Sequence, residues 1–443
     1  MSRAVRAGVG SQTVTSRIDD LSHEGRGVAH HEGKTVFIDD ALPGELVEWV
    51  LRKRGRSFDE GSTAKILEPS PDRVTPRCAH FGTCGGCALQ HLSADRQITF
   101  KQQQLTEALS RIGHVTPTEV LPPLLADSWN YRRRARLSAR WVPKKNKVVV
   151  GFRERAAPLV ADLQHCDVLT PPVDNMLPQL SELLTGLSIR DRVPQIEVAV
   201  ADRSVALLIR ILQPLTAADR ERLEQFERDH SVQIYLQPGG NDTVAPLQGA
   251  AIPLTYRLPQ FDVELHFEPA DFVQINAAIN ELMVARAVEL LLPGSGDDVL
   301  DLFCGLGNFS LPLARRARHV VGVEGEAGLV ERARRNAERN GIANAEFFTG
   351  NLAAEDVGQV GWANRRYSKV LLDPPRAGAR EVLPTIARSG ASRVVYISCH
   401  PGTLARDAGI LVNEHGFELT AAGAMDMFPH TTHVESIAVF DRQ

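Results

Sequence analysis

Four short segments of this 443-residue chain gather side chains that could do chemistry. They are Asp301-Leu-Phe-Cys-Gly-Leu-Gly-Asn-Phe309, Asp373-Pro-Pro-Arg376, Ser398-Cys-His-Pro401 and Phe428-Pro-His-Thr-Thr-His-Val-Glu435. In the first, Gly305 and Gly307 let the backbone come close to a ligand. Glu324, 23 residues after Asp301, could hold two ribose hydroxyls. A nicotinamide dinucleotide would want a third glycine where Ser310 stands. A carboxylate before the glycines and another after the next strand fit an S-adenosylmethionine pocket better.

The second and third segments suggest the acceptor. Asp-Pro-Pro followed by an aromatic ring would suit amine methylation, but Arg376 replaces the ring. Amine methylation has no use for Cys399, whereas methylation at carbon 5 of a pyrimidine does. A thiolate added to C6 makes C5 enolate-like, so that it can attack a methyl sulfonium. A base then removes the C5 proton and the cysteine is expelled, one hard step split into two easier ones. Cys399 is the candidate nucleophile; a free thiol has a pKa of about 8.5, so its site must favour the thiolate or take the proton directly. Strand-like alternation puts His433 and Glu435 on one face, and either could be the base. Cys304, inside the glycine turn, is expected to pack against cofactor.

Several elements must position these groups. From residue 297 apolar runs alternate with helical patterns: Val299–Cys304, His319–Glu324, Ala345–Thr349, Lys369–Asp373 and Arg393–Ser398, with a helix over Leu329–Asn340. This implies a parallel doubly wound sheet, closed by an antiparallel pair from Phe417–Met427 and His433–Asp441. Residues 12–68 read instead as short strands separated by turns, the pattern of a small β-barrel. A Pro-rich stretch, Leu67–Pro76, separates it from a cysteine cluster, a helix over Ala94–Ile112 and an acidic α+β region. The expected division is 1–69, 70–262 and 263–443.

The net charge of −4 hides strong segregation. Residues 130–155 carry ten basic side chains against Glu154 alone, a net of +9, whereas residues 156–300 carry nine basic against 21 acidic, a net of −12. The basic stretch is interleaved with Trp129, Tyr131, Trp141 and Phe152, a mixture suited to single-stranded or looped RNA. No apolar run reaches the roughly 20 residues of a membrane span, and the first residues lack the apolar segment of a secretory signal. A cytoplasmic location is therefore expected, where cysteines serve as ligands or nucleophiles rather than disulfides. Cys78-x5-Cys84-x2-Cys87 with the distant Cys166 gives four candidate metal ligands, and His80, His91 or His165 could replace one; spacing alone leaves zinc and iron–sulfur open.

Two resemblances sharpen this reading. Ile18-Asp-Asp-Leu-Ser-His-Glu-Gly-Arg-Gly-Val-Ala29, with Thr35–Ile38 and Gly44-Glu-Leu-Val47, resembles a TRAM domain, an RNA-binding barrel of the oligonucleotide-binding type. The four segments of the opening paragraph resemble the RNA (uracil-5-)-methyltransferase family. That resemblance implies Cys399 as nucleophile and Glu435 as base, with cofactor contacts at Gln274, Phe303, Asn308, Glu324, Asn351 and Asp373. The triplet with its distal cysteine resembles the 23S ribosomal RNA members, which implies a [4Fe-4S] cluster on Cys78, Cys84, Cys87 and Cys166. The implied architecture is a TRAM barrel, a central α+β domain with the cluster, and a Rossmann-like class I methyltransferase domain. The implied activity is methylation of C5 of one uridine, flipped from a single-stranded loop of 23S ribosomal RNA, by a monomeric enzyme. The family usually has Asn after the catalytic cysteine; here His400 stands there. Rival readings are another 23S site, a transfer RNA, a non-catalytic RNA-binding protein, or a radical methylthiotransferase. The last would have Cys-x3-Cys-x2-Cys and no need of Cys399.

Overall fold

The computed structural model describes residues 13–155, 157–354 and 361–442. The leading segment, read above for a secretory signal, lies largely outside the described residues. The chain divides into two compact units, one running to Thr99 and including His430–Thr432, the other comprising Phe100–Pro429 and His433 onward.

The first unit holds a six-stranded sheet in the order Val14–Arg17, Leu46–Arg54, Phe58–Glu68, Lys34–Asp39, Gly27–His31, Asp20–Leu21. Its two edge strands are successive pieces of one stretch, so the chain from Val14 to Leu21 bridges the edges and curls the sheet into a barrel. Alternating residues fill it: Ile18, Ala29, Val36, Ile38, Val47 and Trp49 are buried. Three β-bulges along Leu46–Arg54 supply the bend that curvature requires. The cysteine triplet follows in a loop where the His80 amide donates to Cys78 Sγ and the Gly86 amide to Cys84 Sγ, both at 3.4 Å.

The second unit contains two larger sheets. One has six strands in the order Ala245–Pro246, Gln233–Gln237, Val205–Arg210, Gln195–Val200, Arg134–Val142, Lys147–Gly151. The basic stretch is thus a β-hairpin, Arg134–Val142 with Lys147–Gly151. Several of its charges are answered by the acidic stretch that follows it. Arg136 pairs with Glu197 at 3.0 Å, Lys145 and Lys147 with Asp162 at 2.8 and 2.7 Å, and Arg133 with Asp202 at 3.5 Å. Trp141 lies under Arg190 and Phe152 under Arg132, so these rings are occupied within the fold instead of standing open for bases.

The other sheet has eight strands: Ala345–Thr349, His319–Glu324, Asp298–Leu302, Lys369–Leu372, Arg393–Ser398, Glu435–Asp441, Glu418–Met425 and Glu119–Val120. The first five are parallel, and Glu435–Asp441 runs antiparallel to its neighbours. Helices cover both faces, which explains why the strands read as continuous apolar runs. Val299, Val320, Val395 and Val439 share one core with Ile279, Met283, Val284 and Leu291 of the helix Ala277–Leu291. Leu300, Val321, Val370 and Phe440 share another with Leu404, Ala408 and Leu411 of the helix Pro401–Asn413. Truncating fully buried Leu300 to Ala would cost about 2–5 kcal/mol. The strands are shorter than the apolar runs: the first ends at Leu302 and the fourth at Leu372, because the next residues turn away to form the ligand loops.

Candidate active site

Strand order reverses between Asp298–Leu302 and Lys369–Leu372, which opens a crevice at their carboxyl ends. The turn after the first strand needs three left-handed residues, Phe303 (φ 63°), Gly305 (φ 53°) and Gly307 (φ 91°). Glycine adopts these freely; Phe303 does so at a cost, and such strain in a non-glycine residue concentrates at functional sites. Glu324, at the end of the second strand, is pinned by three amides. Its Oε2 accepts from Gly305 at 3.1 Å, and Oε1 accepts from Gly325 at 2.6 Å and Glu326 at 3.2 Å. Oε1 already accepts twice, and Oε2 keeps a lone pair for a ribose hydroxyl. Asn308 is locked in a double hydrogen bond with Asn280, 2.9 and 3.2 Å, and accepts from the Tyr256 hydroxyl at 3.0 Å. Asn351, after the third strand, accepts from Ala353 N at 3.1 Å. Gln274 Nε2 reaches Asp373 Oδ2 at 3.3 Å. The turn, the anchored Glu324 and these amides form a set suited to an adenosine bearing an amino-acid tail.

Cys304, inside the glycine turn, is buried. Its sulfur lies beside Gly322, and burial, followed by the Asp301 and Glu324 charges, pushes its pKa well up. It is an inert buried thiol.

Cys399 sits where the fifth strand ends, in a loop fixed by Ser398. The Ser398 hydroxyl accepts from His400 N at 3.1 Å and donates to the His400 carbonyl at 3.2 Å. His400 then caps the helix Pro401–Asn413, with its Nδ1 accepting from Thr403 N at 3.2 Å. Asn is among the preferred residues at such a cap, so His400 performs the hydrogen bond an Asn would make there. The helix can press close because Gly113 and Gly409 lie at the contact: a Cβ on Gly113 would stand 2.4 Å from the Ala405 carbonyl. Asp407 of the same helix accepts from Ala379 N at 2.8 Å and the Tyr396 hydroxyl at 2.7 Å. It thereby holds the Asp373–Ala379 loop against the strand that ends at Cys399.

Antiparallel pairing brings in the fourth segment. Ser398 pairs with Ser436 and Met425 with Glu435, so Glu435 starts its strand at the edge where the parallel strands finish. The strand begins at Glu435 rather than His433, because the chain is still in a loop before it. Burial pushes the Cys399 thiol up to about 11, the Glu435 and Asp373 charges push it the same way, and the Arg376 guanidinium opposes them. Glu435 is buried, and burial with the Asp373 charge raises its pKa well above the carboxylate range. Burial alone brings Asp373 up to about 7. His433 is held below the usual imidazole range, by burial and then by Arg376, Arg132 and Lys101.

The family whose model is described as tRNA (Uracil-5-)-methyltransferase matches residues 125–443, and a TRAM domain matches residues 11–48. The chain belongs to the uracil-5-methyltransferase family. It is 55% identical over 431 residues to the 23S rRNA (uracil(1939)-C(5))-methyltransferase RlmD of Stenotrophomonas maltophilia strain R551-3, covering 97% of each chain. It is 54% identical over 429 residues to the protein of the same name from Xanthomonas campestris pv. campestris strain 8004, covering 96% of each. Among solved structures it resembles the Pyrococcus abyssi tRNA (uracil-54, C5)-methyltransferase in complex with S-adenosyl-L-homocysteine. There the TM-score is 0.74 at 25% identity, over 96% of this chain and 99% of that one.

For a uracil-5-methyltransferase, three contributors to this site carry no motif that sequence reading would catch. Asn280 and Tyr256, which fix Asn308, are ordinary residues of a helix and a hairpin. Lys101 is wholly buried, donating to Asp426 at 2.6 Å and to the Phe428 carbonyl at 2.8 Å, and so anchors the segment leading towards Glu435. One signal was present: Lys101 continues the helical row of Leu105 and Leu109, a place for an apolar residue.

Proposed function

We propose that the protein transfers a methyl group from S-adenosylmethionine to C5 of the 23S ribosomal RNA uridine equivalent to uracil 1939, through a covalent Cys399–C6 adduct. The observation that carries this reading is the shared edge of Cys399, Asp373 and Glu435. Cofactor contacts are assigned to Gln274, Phe303, Asn308, Glu324, Asn351 and Asp373. Bound S-adenosylmethionine supplies the electrophilic methyl group and, as a sulfonium cation, favours the ionised forms of nearby carboxylates.

The residues then divide the work. Cys399 is a thiol at neutral pH, and its proton passes to the Asp373 carboxylate as sulfur bonds to C6. The C5–C6 double bond opens, the pyrimidine becomes enolate-like, and C5 takes the methyl group. Glu435 removes the C5 proton, the double bond reforms, and the C6–S bond breaks. The sulfur regains its proton, and Glu435 releases one to solvent. A target base must leave its stack to reach a thiol at the strand end, so the uridine is flipped.

The decisive experiment uses 5-fluorouridine-substituted 23S fragments, whose C5 fluorine cannot be removed as a proton. A denaturation-resistant complex should form with S-adenosylmethionine and vanish in Cys399→Ala, with turnover falling at least about 1,000-fold. Active enzyme that forms no complex would sink the mechanism.

Cys78, Cys84, Cys87 and Cys166 are assigned to a [4Fe-4S] cluster. Among the described residues no three His, Cys, Asp or Glu side chains converge on a single metal ion. A four-iron cluster binds each thiolate through a separate iron, and amide donation to Cys78 and Cys84 sulfurs suits thiolate ligands. Cys84→Ser should lose iron and sulfide on chemical analysis while Cys304→Ser retains both; equal retention would refute the assignment.

A further inference from the structure

Three side chains from three elements meet at the glycine turn: Asn308 on the turn itself, Asn280 on the helix Ala277–Leu291, and Tyr256 on the strand Leu254–Leu258. Asn308 Oδ1 accepts from the Tyr256 hydroxyl at 3.0 Å and from Asn280 Nδ2 at 3.2 Å, which uses both of its lone pairs. Asn308 Nδ2 spends one of its two hydrogens on Asn280 Oδ1 at 2.9 Å. A single N–H is then the polar valence that remains. Asn280 is 4% and Tyr256 5% exposed, whereas Asn308 is half-buried, so the side of the trio open to a ligand is that of Asn308.

The asparagine pair by itself does not fix this polarity. Two facing amides exchange the same two hydrogen bonds when both are turned over, and besides each other these two side chains bond only Tyr256. Tyr256 breaks the tie. Burial raises the pKa of its phenol, with the Arg133 charge only partly opposing, so it stays protonated and donates. With both amides turned over, the phenol would face an NH2 group, and its buried proton would lose the acceptor it has in Asn308 Oδ1.

The hairpin that carries Tyr256 is held on both strands. Asp202 N donates to the Thr255 carbonyl at 2.9 Å, and Arg257 N donates to Asp202 Oδ2 at 3.0 Å. On the strand Val263–Phe267, Asn340 bonds both the amide and the carbonyl of Glu264 at 2.8 Å, and Asn336 bonds those of His266 at 3.0 and 3.1 Å. Asn336 Nδ2 also donates to the Leu306 carbonyl at 3.2 Å, which ties the hairpin to the glycine turn.

S-adenosylmethionine has ribose hydroxyls that can donate to Glu324, and in its amino-acid tail a carboxylate that only accepts. The lone N–H of Asn308 suits the carboxylate, and hydrogen bonds to a charged acceptor are the strong ones. We propose that Tyr256 is a positioning residue that fixes Asn308 as a donor, and that this donor makes the cofactor site select ligands whose tail keeps its carboxylate. This deepens the functional reading and rests on it.

The test compares two ligands by isothermal titration calorimetry on the intact protein: S-adenosylhomocysteine and its decarboxylated analogue, which keeps the amine. The unaltered protein should bind the first at least about tenfold more tightly. Tyr256→Phe should bind S-adenosylhomocysteine about five- to tenfold more weakly and the analogue within about twofold of the unaltered protein. Its KM for S-adenosylmethionine should rise in step, with kcat within about twofold. Asn308→Asp keeps an acceptor for Tyr256 and for Asn280 Nδ2 but puts a carboxylate oxygen where the donor was, so it should reverse the preference between the two ligands. That reversal is readable even if Tyr256→Phe fails to fold. Three results would overturn the assignment alone: equal binding of the two ligands by the unaltered protein, equal weakening of both in Tyr256→Phe, or an undiminished preference for S-adenosylhomocysteine in Asn308→Asp. Unaltered protein that binds neither ligand would refute the functional reading together with it.

Discussion

Ser436 stands across the sheet from Ser398, and its hydroxyl donates to the Ser398 carbonyl at 3.1 Å. Cys399 follows Ser398 and Glu435 precedes Ser436, at the same edge. Register, not sequence proximity, therefore sets Cys399 and Glu435 at one edge, and a one-residue slip would send Glu435 to the opposite face.

Glu435→Gln removes the acceptor for the C5 proton while preserving side-chain size. Thiol addition and methyl transfer should continue, so a methylated covalent adduct should accumulate on ordinary uridine RNA, with turnover down about 10²–10⁴-fold. Denaturing gels with labelled S-adenosylmethionine would show it. Normal release of methylated RNA would mean that another group is the base.

Arg376 opposes the carboxylates around Cys399. In Arg376→Ala, the rise of Cys399 alkylation with pH should move to higher pH, since the cation that favours thiolate is gone. Iodoacetamide labelling of Cys399, followed by mass spectrometry across alkaline pH, gives the midpoint directly. An unchanged or lowered midpoint would show that Arg376 does not act on the thiol.

His400 caps its helix through Nδ1. His400→Asn should leave stability and turnover nearly unchanged, whereas His400→Ala should cost about 1 kcal/mol in urea unfolding. Equal effects of the two substitutions would disprove the capping role.

Asp301 is wholly buried beside Ser310, and burial, followed by the Asp373 and Glu324 charges, raises its pKa to about 7. Its folded pKa exceeds the unfolded value of 3.8, so the folded state holds the proton more tightly. The stability this contributes is complete below about pH 4 and is lost as pH rises through 7, at most on the order of 4 kcal/mol. Asp301→Asn keeps an acceptor for Ser310 but carries no charge. Unfolding of cofactor-free protein at pH 5 and pH 8 should show the variant gaining on the unaltered protein as pH rises; parallel profiles would contradict the shift.

The sheet was legible because strands covered on both faces must be apolar along their whole length, and five such runs stand out between helical patterns. The glycine turn was legible for a similar local reason, since left-handed backbone selects glycine. Phe303 escaped that logic, and its positive φ appears only in the folded turn. His400 was legible as a departure, but its equivalence to Asn became clear only when its ring nitrogen was seen to accept from Thr403.

Charge shows the division most plainly. By itself the sequence determined that +9 and −12 stretches adjoin, and that Cys399, Asp373 and Glu435 are of the types a C5 methylation needs. Tertiary structure decided that Asp162, Glu197 and Asp202 fold back onto the basic hairpin, so that several of the positive charges are answered within the fold. It also decided which carboxylates are buried close enough to the thiol to raise its pKa. Coulombic interaction and desolvation depend on separation and burial, and neither is a property of a linear chain.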